Sequence, residues 1–244
     1  MNKTIIFSAL AAIVLIAAAC GDDEPGYKRF KAQPVDLGLS VKWADLNIGA
    51  TEPQAWGGLY GWGDSTGLHE ARIDEYPIEI SWSQVDGREV TTVAWKSPYF
   101  GGRWPLADIA GTDYDIAAFM WNTNWRLPTK SEWNELIDRC QWTVATDVQG
   151  ARTTVVRVTG PNGNSILLPM TGIDTNGAEE RGNVGHYWTS NLLPLDEQST
   201  HGFRCAVPCA AWSVTITPAA GAARCNFEPQ VRNFQLAVRP VYAK

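Results

Sequence analysis

Asn124-Trp125-Arg126-Leu127-Pro128-Thr129-Lys130-Ser131-Glu132-Trp133 is the stretch on which the fold of this chain turns. Thr129 is a strong N-cap residue and Glu132 stands three positions on, the capping box that satisfies two orphan N–H groups at a helix start. Trp133, Leu136, Ile137 and Cys140 then recur at helical spacing and predict one buried face. A second, weaker helix is expected over 115–121, with Ile116, Phe119 and Met120 inward.

Outward from these helices, Gly, Pro, Asn and Asp interrupt the chain every few residues, a pattern of short strands and long loops. Strands are expected at 41–44, 58–62, 90–95, 186–190 and 236–242. The clearest hairpin spans 153–168, with Asn162-Gly163 supplying the positive φ that a tight turn demands. Few helices and many short strands make the class α+β, with a single domain over 35–244.

The composition narrows the function classes. Hydrophobic residues are 45% and charged residues 19% of the chain, and 12 of the residues are Trp, which excludes a disordered protein. Five Cys in 244 residues are too sparse for a disulfide miniprotein. A formal charge of -6 lacks the basic footprint that phosphate backbones require, so nucleic acid is not an expected partner.

The N-terminus reads as an export signal: Lys3, an apolar run from Ile5 to Ile16, then Ala17-Ala18-Ala19-Cys20. The Ala-Ala-Cys step resembles the bacterial lipobox. That makes 1–19 a lipoprotein signal peptide and Cys20 the lipidated first residue. Lys3 is the one charged residue removed, so the charge of -6 becomes -7. Residues 20–34, opening Cys20-Gly21-Asp22-Asp23-Glu24-Pro25-Gly26, form an acidic tether that stays solvated. The expected location is the outer membrane, surface-exposed and held by the N-terminal lipid, with the domain a monomer.

The 124–133 stretch resembles the Fibrobacter succinogenes major paralogous domain, found in surface lipoproteins of Bacteroidetes and Fibrobacteres. Five further segments follow its order: Val35-Asp36-Leu37-Gly38-Leu39-Ser40-Val41-Lys42-Trp43-Ala44 with Asn47-Ile48-Gly49-Ala50, Tyr60-Gly61-Trp62-Gly63-Asp64, Val158 through Ile166, Tyr187-Trp188-Thr189-Ser190, and Val238-Arg239-Pro240-Val241. The resemblance implies a C-type-lectin-like fold of the formylglycine-generating-enzyme type, with a loop-rich, solvent-facing surface near its C-terminal half. It also implies a binding or adhesion module rather than an enzyme. The likeness extends to the variable proteins of diversity-generating retroelements, which display hypervariable residues on this fold. Residues 191–234 depart most from the family pattern, and a protein or glycan ligand is expected there, with Trp212, Arg204, Phe203, Asn226, Phe227 and Asn191 as candidate contacts.

The indoles divide accordingly. Trp43, Trp62, Trp125, Trp133 and Trp188 lie in the patterned segments and are expected in the core, each finding a partner for its N–H. Trp56, Trp82, Trp95, Trp104, Trp121, Trp142 and Trp212 lie in less patterned stretches. There an indole either pins a loop to the body or meets a ligand, and Trp212 is the one expected to do the latter.

Cys140, Cys205, Cys209 and Cys225 remain as disulfide candidates, with three possible connectivities and Cys140 equally readable as a free core thiol. A bridge within 205–209 or from there to Cys225 is preferred. The alternative is a Cys205/Cys209 oxidase-like enzyme, which lacks a neighbouring base to lower a thiol pKa. A structural subunit of a surface appendage is a further alternative. No metal or cofactor is expected: His69, His186 and His201 are scattered, and Asp108, Asp113 and Asp115 read as a solvated acidic loop rather than a calcium site. Neither a facing carboxylate pair nor a Gly-x-Ser-x-Gly elbow stands out.

Overall fold

The computed structural model of the chain describes residues 32–65, 78–85, 88–95, 106–175, 181–203 and 208–242. The expected signal, Cys20, most of the expected tether, His69, Trp104, Arg204 and Cys205 lie outside the described residues, as do the side chains of Trp82 and Trp95. The fold is α+β, mostly strands with a few short helices among the described residues.

A four-stranded sheet has the order β1 (Pro34–Val35), β2 (Lys42–Ala44), β14 (Val241–Tyr242), β6 (Trp125–Arg126). A six-stranded sheet runs β10 (Gly185–Leu192), β11 (Ala210–Ala219), β12 (Ala222–Val231), β7 (Gln141–Ala145), β8 (Val155–Thr159), β9 (Ser165–Pro169). Two small ribbons complete it: β3 (Tyr60–Gly61) with β13 (Gln235–Leu236), and β4 (Ile78–Val85) with β5 (Arg88–Trp95).

Helix α2 (Lys130–Arg139) starts with the complete capping box. Thr129 Oγ1 accepts from the Glu132 N–H at 3.2 Å, and the Glu132 carboxylate accepts from the Thr129 N–H at 2.8 Å. Trp133 and Leu136 face inward, and Ile137 and Cys140 pack half-buried against the same cluster, with Cys140 closing the helix in an extended conformation. Helix α1 (Ile116–Met120) corrects the expectation in part: Ile116 and Ala117 are buried, whereas Phe119 is 64% and Met120 39% exposed. One helical turn can bury only a narrow arc, and the N-cap residue Asp115 fixes which arc that is. Its carboxylate accepts the N–H groups of Gly111, Ala117 and Leu127 at 2.7–2.9 Å.

The segment 236–242 is two strands in two sheets rather than one. Between them Ala237 pairs with Tyr187 and Pro240 has no N–H to donate. The hairpin over 153–168 forms as expected, with Gly163 at φ 85° in its turn. The largest departure lies in 191–234, where the resemblance implies a loop-rich surface. Its greater part is a β-hairpin of two ten-residue strands, β11 and β12, turning at Ala220-Gly221. Trp212, Val214 and Ile216 alternate with Ser213, Thr215 and Thr217, the period-two signature of a strand. Pro229 sits on β12 where β7 is no longer paired with it, so its missing N–H costs no ladder bond.

Two apolar clusters fill the molecule. One gathers Trp43, Trp133, Leu136, Val156, Val158, Leu168, Tyr187, Val214 and Ile216 around α2. The other gathers Ile48, Trp62, Ile109, Ile116, Trp125, Leu127, Trp188 and Leu236. All five indoles expected in the core are buried. Trp62, Trp133 and Trp188 donate to the carbonyls of Thr189, Trp188 and Tyr60 at 2.9, 3.3 and 2.7 Å. Trp43 departs from the rule: its buried N–H has no hydrogen-bond partner, and its ring instead meets Trp133 edge-on at 4.8 Å.

Arg239 is the one fully buried cation among the described residues. Its guanidinium donates to Asn47 Oδ1 (2.8 Å), the Ala44 carbonyl (2.9 Å) and the Leu167 carbonyl (2.6 Å). Burial pulls its pKa down to about 10, against the opposing influence of Tyr187 and Asp45. Its acceptors span the β2 region and β9, so one side chain ties both sheets together.

Candidate functional site

The capping box that starts α2 also positions a cation. Glu132 is gripped by Arg126 in a two-point ion pair at 2.5 and 2.8 Å. Burial pushes the Glu132 carboxyl up, but the Arg126 guanidinium and the Thr129 N–H outweigh it and hold the group below its ordinary value. The helix start is therefore rigid, and Lys130 projects from its first turn. The Lys130 N–H donates to Asn191 Oδ1 at 2.7 Å, docking the helix on β10.

The Lys130 ammonium lies 3.2 Å from the ring centre of Trp212 on β11 and 5.3 Å from that of Phe227 on β12. Trp212 and Phe227 are inward-facing positions of neighbouring strands, at the end of the sheet face that α2 covers. His201, in the 3-10 turn after α3 (Leu195–Gln198), meets the Trp212 ring edge-on at 5.2 Å and 83°. Burial lowers the Lys130 pKa, and the nearby Glu197 carboxylate opposes that shift. An ammonium at this distance from an indole is held by about 0.5–1 kcal/mol when exposed and more when desolvated.

Trp212 and Phe227 thus come together. Asn191 joins them only indirectly, since its amide is spent on the Lys130 backbone and, at 3.3 Å, on Asp108. Phe203 is half-buried just after His201, with its N–H on the Gln198 carbonyl at 2.9 Å. Asn226 is exposed on the other face of β12 from Phe227, because adjacent strand residues point oppositely. Arg204 lies outside the described residues. Lys130 and His201 are the participants that the sequence analysis missed. No spacing links position 130 to 212, so nothing local in the sequence marks Lys130 as part of the site.

Trp212 is half-buried rather than projecting, and so are Trp56, Trp121 and Trp142. Trp142 donates its N–H to the Leu136 carbonyl at 3.3 Å, and Trp121 packs edge-on against Trp125 at 5.1 Å, so both are pins.

Among the cysteines, Cys209 is buried and disulfide-bonded, to a partner outside the described residues, whereas Cys140 and Cys225 carry free thiols. A bridge to Cys225 is therefore not formed. Burial pushes the thiols of Cys140 and Cys225 up to about 11 and about 12, so both stay protonated at neutral pH. A disulfide-bonded Cys209 offers no thiolate for attack.

Of the expected solvated acidic loop, Asp113 is exposed but Asp115 is fully buried. Asp115 caps α1, while Asp108 accepts from Ala110 N at 2.9 Å and from Asn191. Among the described residues no group of three or more His, Cys, Asp or Glu converges as a metal site would require. His186, Thr215 and Glu228 do line up, with the Thr215 hydroxyl 3.4 Å from His186 Nδ1 and 2.9 Å from Glu228 Oε2. The hydroxyl stands in the middle of this chain. A nucleophilic triad needs the imidazole there, so the three read as a polar cross-strand brace on β10, β11 and β12. Among the described residues no helix is long and apolar enough to cross a membrane.

The chain matches no family model, no curated protein and no solved structure.

Proposed function

We propose that this chain is a lipid-anchored, surface-exposed binding module that recognises a protein or glycan ligand, and that its body is a C-type-lectin-like domain of the formylglycine-generating-enzyme type. The observation that carries the proposal is the cluster at the open end of the α2-covered sheet face, where Lys130, Trp212, Phe227 and His201 converge. The cluster sets an indole, the kind of side chain enriched among binding anchors, beside an ammonium and an imidazole at a capped helix start. The ligand displaces or shares the ammonium that caps Trp212. An anionic or hydroxyl-rich group at Lys130 with an apolar face toward the rings satisfies both parts. Cys20, the acidic tether and the single domain over 35–244 supply anchor, spacer and head.

The test is a panel of glycans and host surface proteins probed with the lipid-free chain and with Trp212→Ala. The expected result is a ligand whose affinity falls at least tenfold in the variant while its thermal midpoint stays within a few degrees. Equal binding by both proteins, or no ligand in either panel, overturns the proposal.

A further inference from the structure

Away from that cluster, a cavity of about 400 Å³ opens between the loop 49–57 and the turn at 150–152. It falls in the size class of small-ligand sites, about 300–1,000 Å³. Its lining mixes one indole, Trp56, with Glu52, Gln54, Arg152 and glycines at 49, 57 and 150. The walls are tied down. Trp56 donates its indole N–H to Thr153 Oγ1 at 2.8 Å, and its carbonyl accepts from Asn47 Nδ2 at 2.8 Å. Asn47 is itself held by the buried Arg239. Gln54 Nε2 joins the two walls, donating to Glu52 Oε2 at 2.7 Å and to the Gln149 carbonyl at 3.2 Å. Gly57, at φ 75°, is obligatory here, because a Cβ would come within 2.3 Å of the Ile48 carbonyl oxygen.

Two guanidinium groups converge on the Trp56 ring, Arg181 at 4.9 Å and Arg152 at 6.0 Å from its centre. Arg152 is exposed, and no ion pair to it exists among the described residues. The Arg152 guanidinium, at the mouth of the cavity and outside any such ion pair, can grip a planar anion in a two-point fork. The neighbouring Glu52 carboxylate decides what kind of anion. It disfavours a phosphate dianion, but it accepts hydrogen bonds from hydroxyl groups, as the Gln54 amide oxygen also can.

We propose that this groove is a second binding site, independent of the Trp212 cluster, for a carboxylate-bearing sugar unit such as a uronate or sialate. The carboxylate takes the Arg152 fork, the hydroxyls take Glu52 and Gln54, and the sugar's C–H face lies along Trp56. The experiment is calorimetric titration of the full chain in detergent with N-acetylneuraminic acid and oligogalacturonate, against neutral galactose oligomers and acetate. At least one acidic sugar is expected to bind tenfold or more tighter than the neutral oligomers and acetate. Arg152→Gln, a surface change, brings it down to the neutral level; Arg152→Lys recovers part, since charge without the bidentate fork is retained. Trp212→Ala leaves this binding unchanged, which separates it from the proposed function above. Equal affinity for acidic and neutral sugars, acetate binding as well as the acidic sugars, or no effect of Arg152→Gln overturns the proposal.

Discussion

Trp188 and Trp212 sit on adjacent antiparallel strands, yet the same side chain does opposite work. Trp188 is fully buried, with its N–H on the Tyr60 carbonyl and its ring inside the cluster of Trp62, Trp125 and Leu127. Trp212 is half-buried, its ring spread beneath an ammonium and edged by an imidazole. The difference lies in what the neighbours leave uncovered. Elements on several sides close over Trp188, while among the described residues a helix start and a short turn meet the Trp212 ring. An indole is therefore scaffold or contact surface according to the groups that complete its shell.

The largest break in that comparison is Trp188→Ala. It empties the core site and removes the indole bond to the Tyr60 carbonyl, at a cost of about 3–5 kcal/mol. Urea denaturation should show a midpoint far below that of the parent, whereas Trp212→Ala should move it much less. A loss as large for Trp212→Ala would mean that both indoles are scaffold.

Asp115 offers a pH-dependent break on the scaffold side. Burial raises its pKa from 3.8 to about 6, against four backbone N–H groups that favour the anion. Between those values the folded protein holds the proton more tightly than the unfolded chain. The stabilisation from this group is therefore complete below pH 3.8 and lost as pH rises through 6. The stability difference between the parent and Asp115→Asn should fall by about 2–3 kcal/mol between pH 4 and pH 7. A difference flat over that range would show that the N–H groups win and the carboxylate is already ionised.

Thr129→Ala acts at the hinge between scaffold and surface. It removes one half of the capping box and should cost about 1 kcal/mol in thermal or urea unfolding. It should also loosen Lys130, visible as reduced order of the Trp212 ring in nuclear magnetic resonance. Smallest of all, a Lys130→Met and Trp212→Leu double-mutant cycle should give a coupling of about 0.5–1 kcal/mol. Zero coupling would leave the ammonium as a bystander.

How much of this could be read from residues alone depended on the range of the interactions. The capping box of α2, the Asn162-Gly163 turn and the five core indoles were legible because short-range chemistry or local patterning marks them. The β11 strand is equally legible from its alternation at 212–217, where the resemblance implies a loop-rich surface instead. The inward face of α1 was not, because a single turn has no periodicity to measure, and Phe119 and Met120 ended outside. Arg239 left no trace either: its acceptors stand 192, 195 and 72 residues away. The Lys130–Trp212 contact is of the same long-range kind. The candidate site is therefore half visible, with Trp212 and Phe227 marked in the sequence and Lys130 and His201 not.

The placement of Val241–Tyr242 between the strands of residues 42–44 and 125–126 has a consequence for timing. The last of these strands to be made is the one that joins the earliest part of the chain to its middle. Until it emerges, both neighbours lack the partner that lies between them, and Arg239 has not yet reached its three acceptors. The four-stranded sheet is thus closed by its most C-terminal strand, like an arch awaiting its keystone.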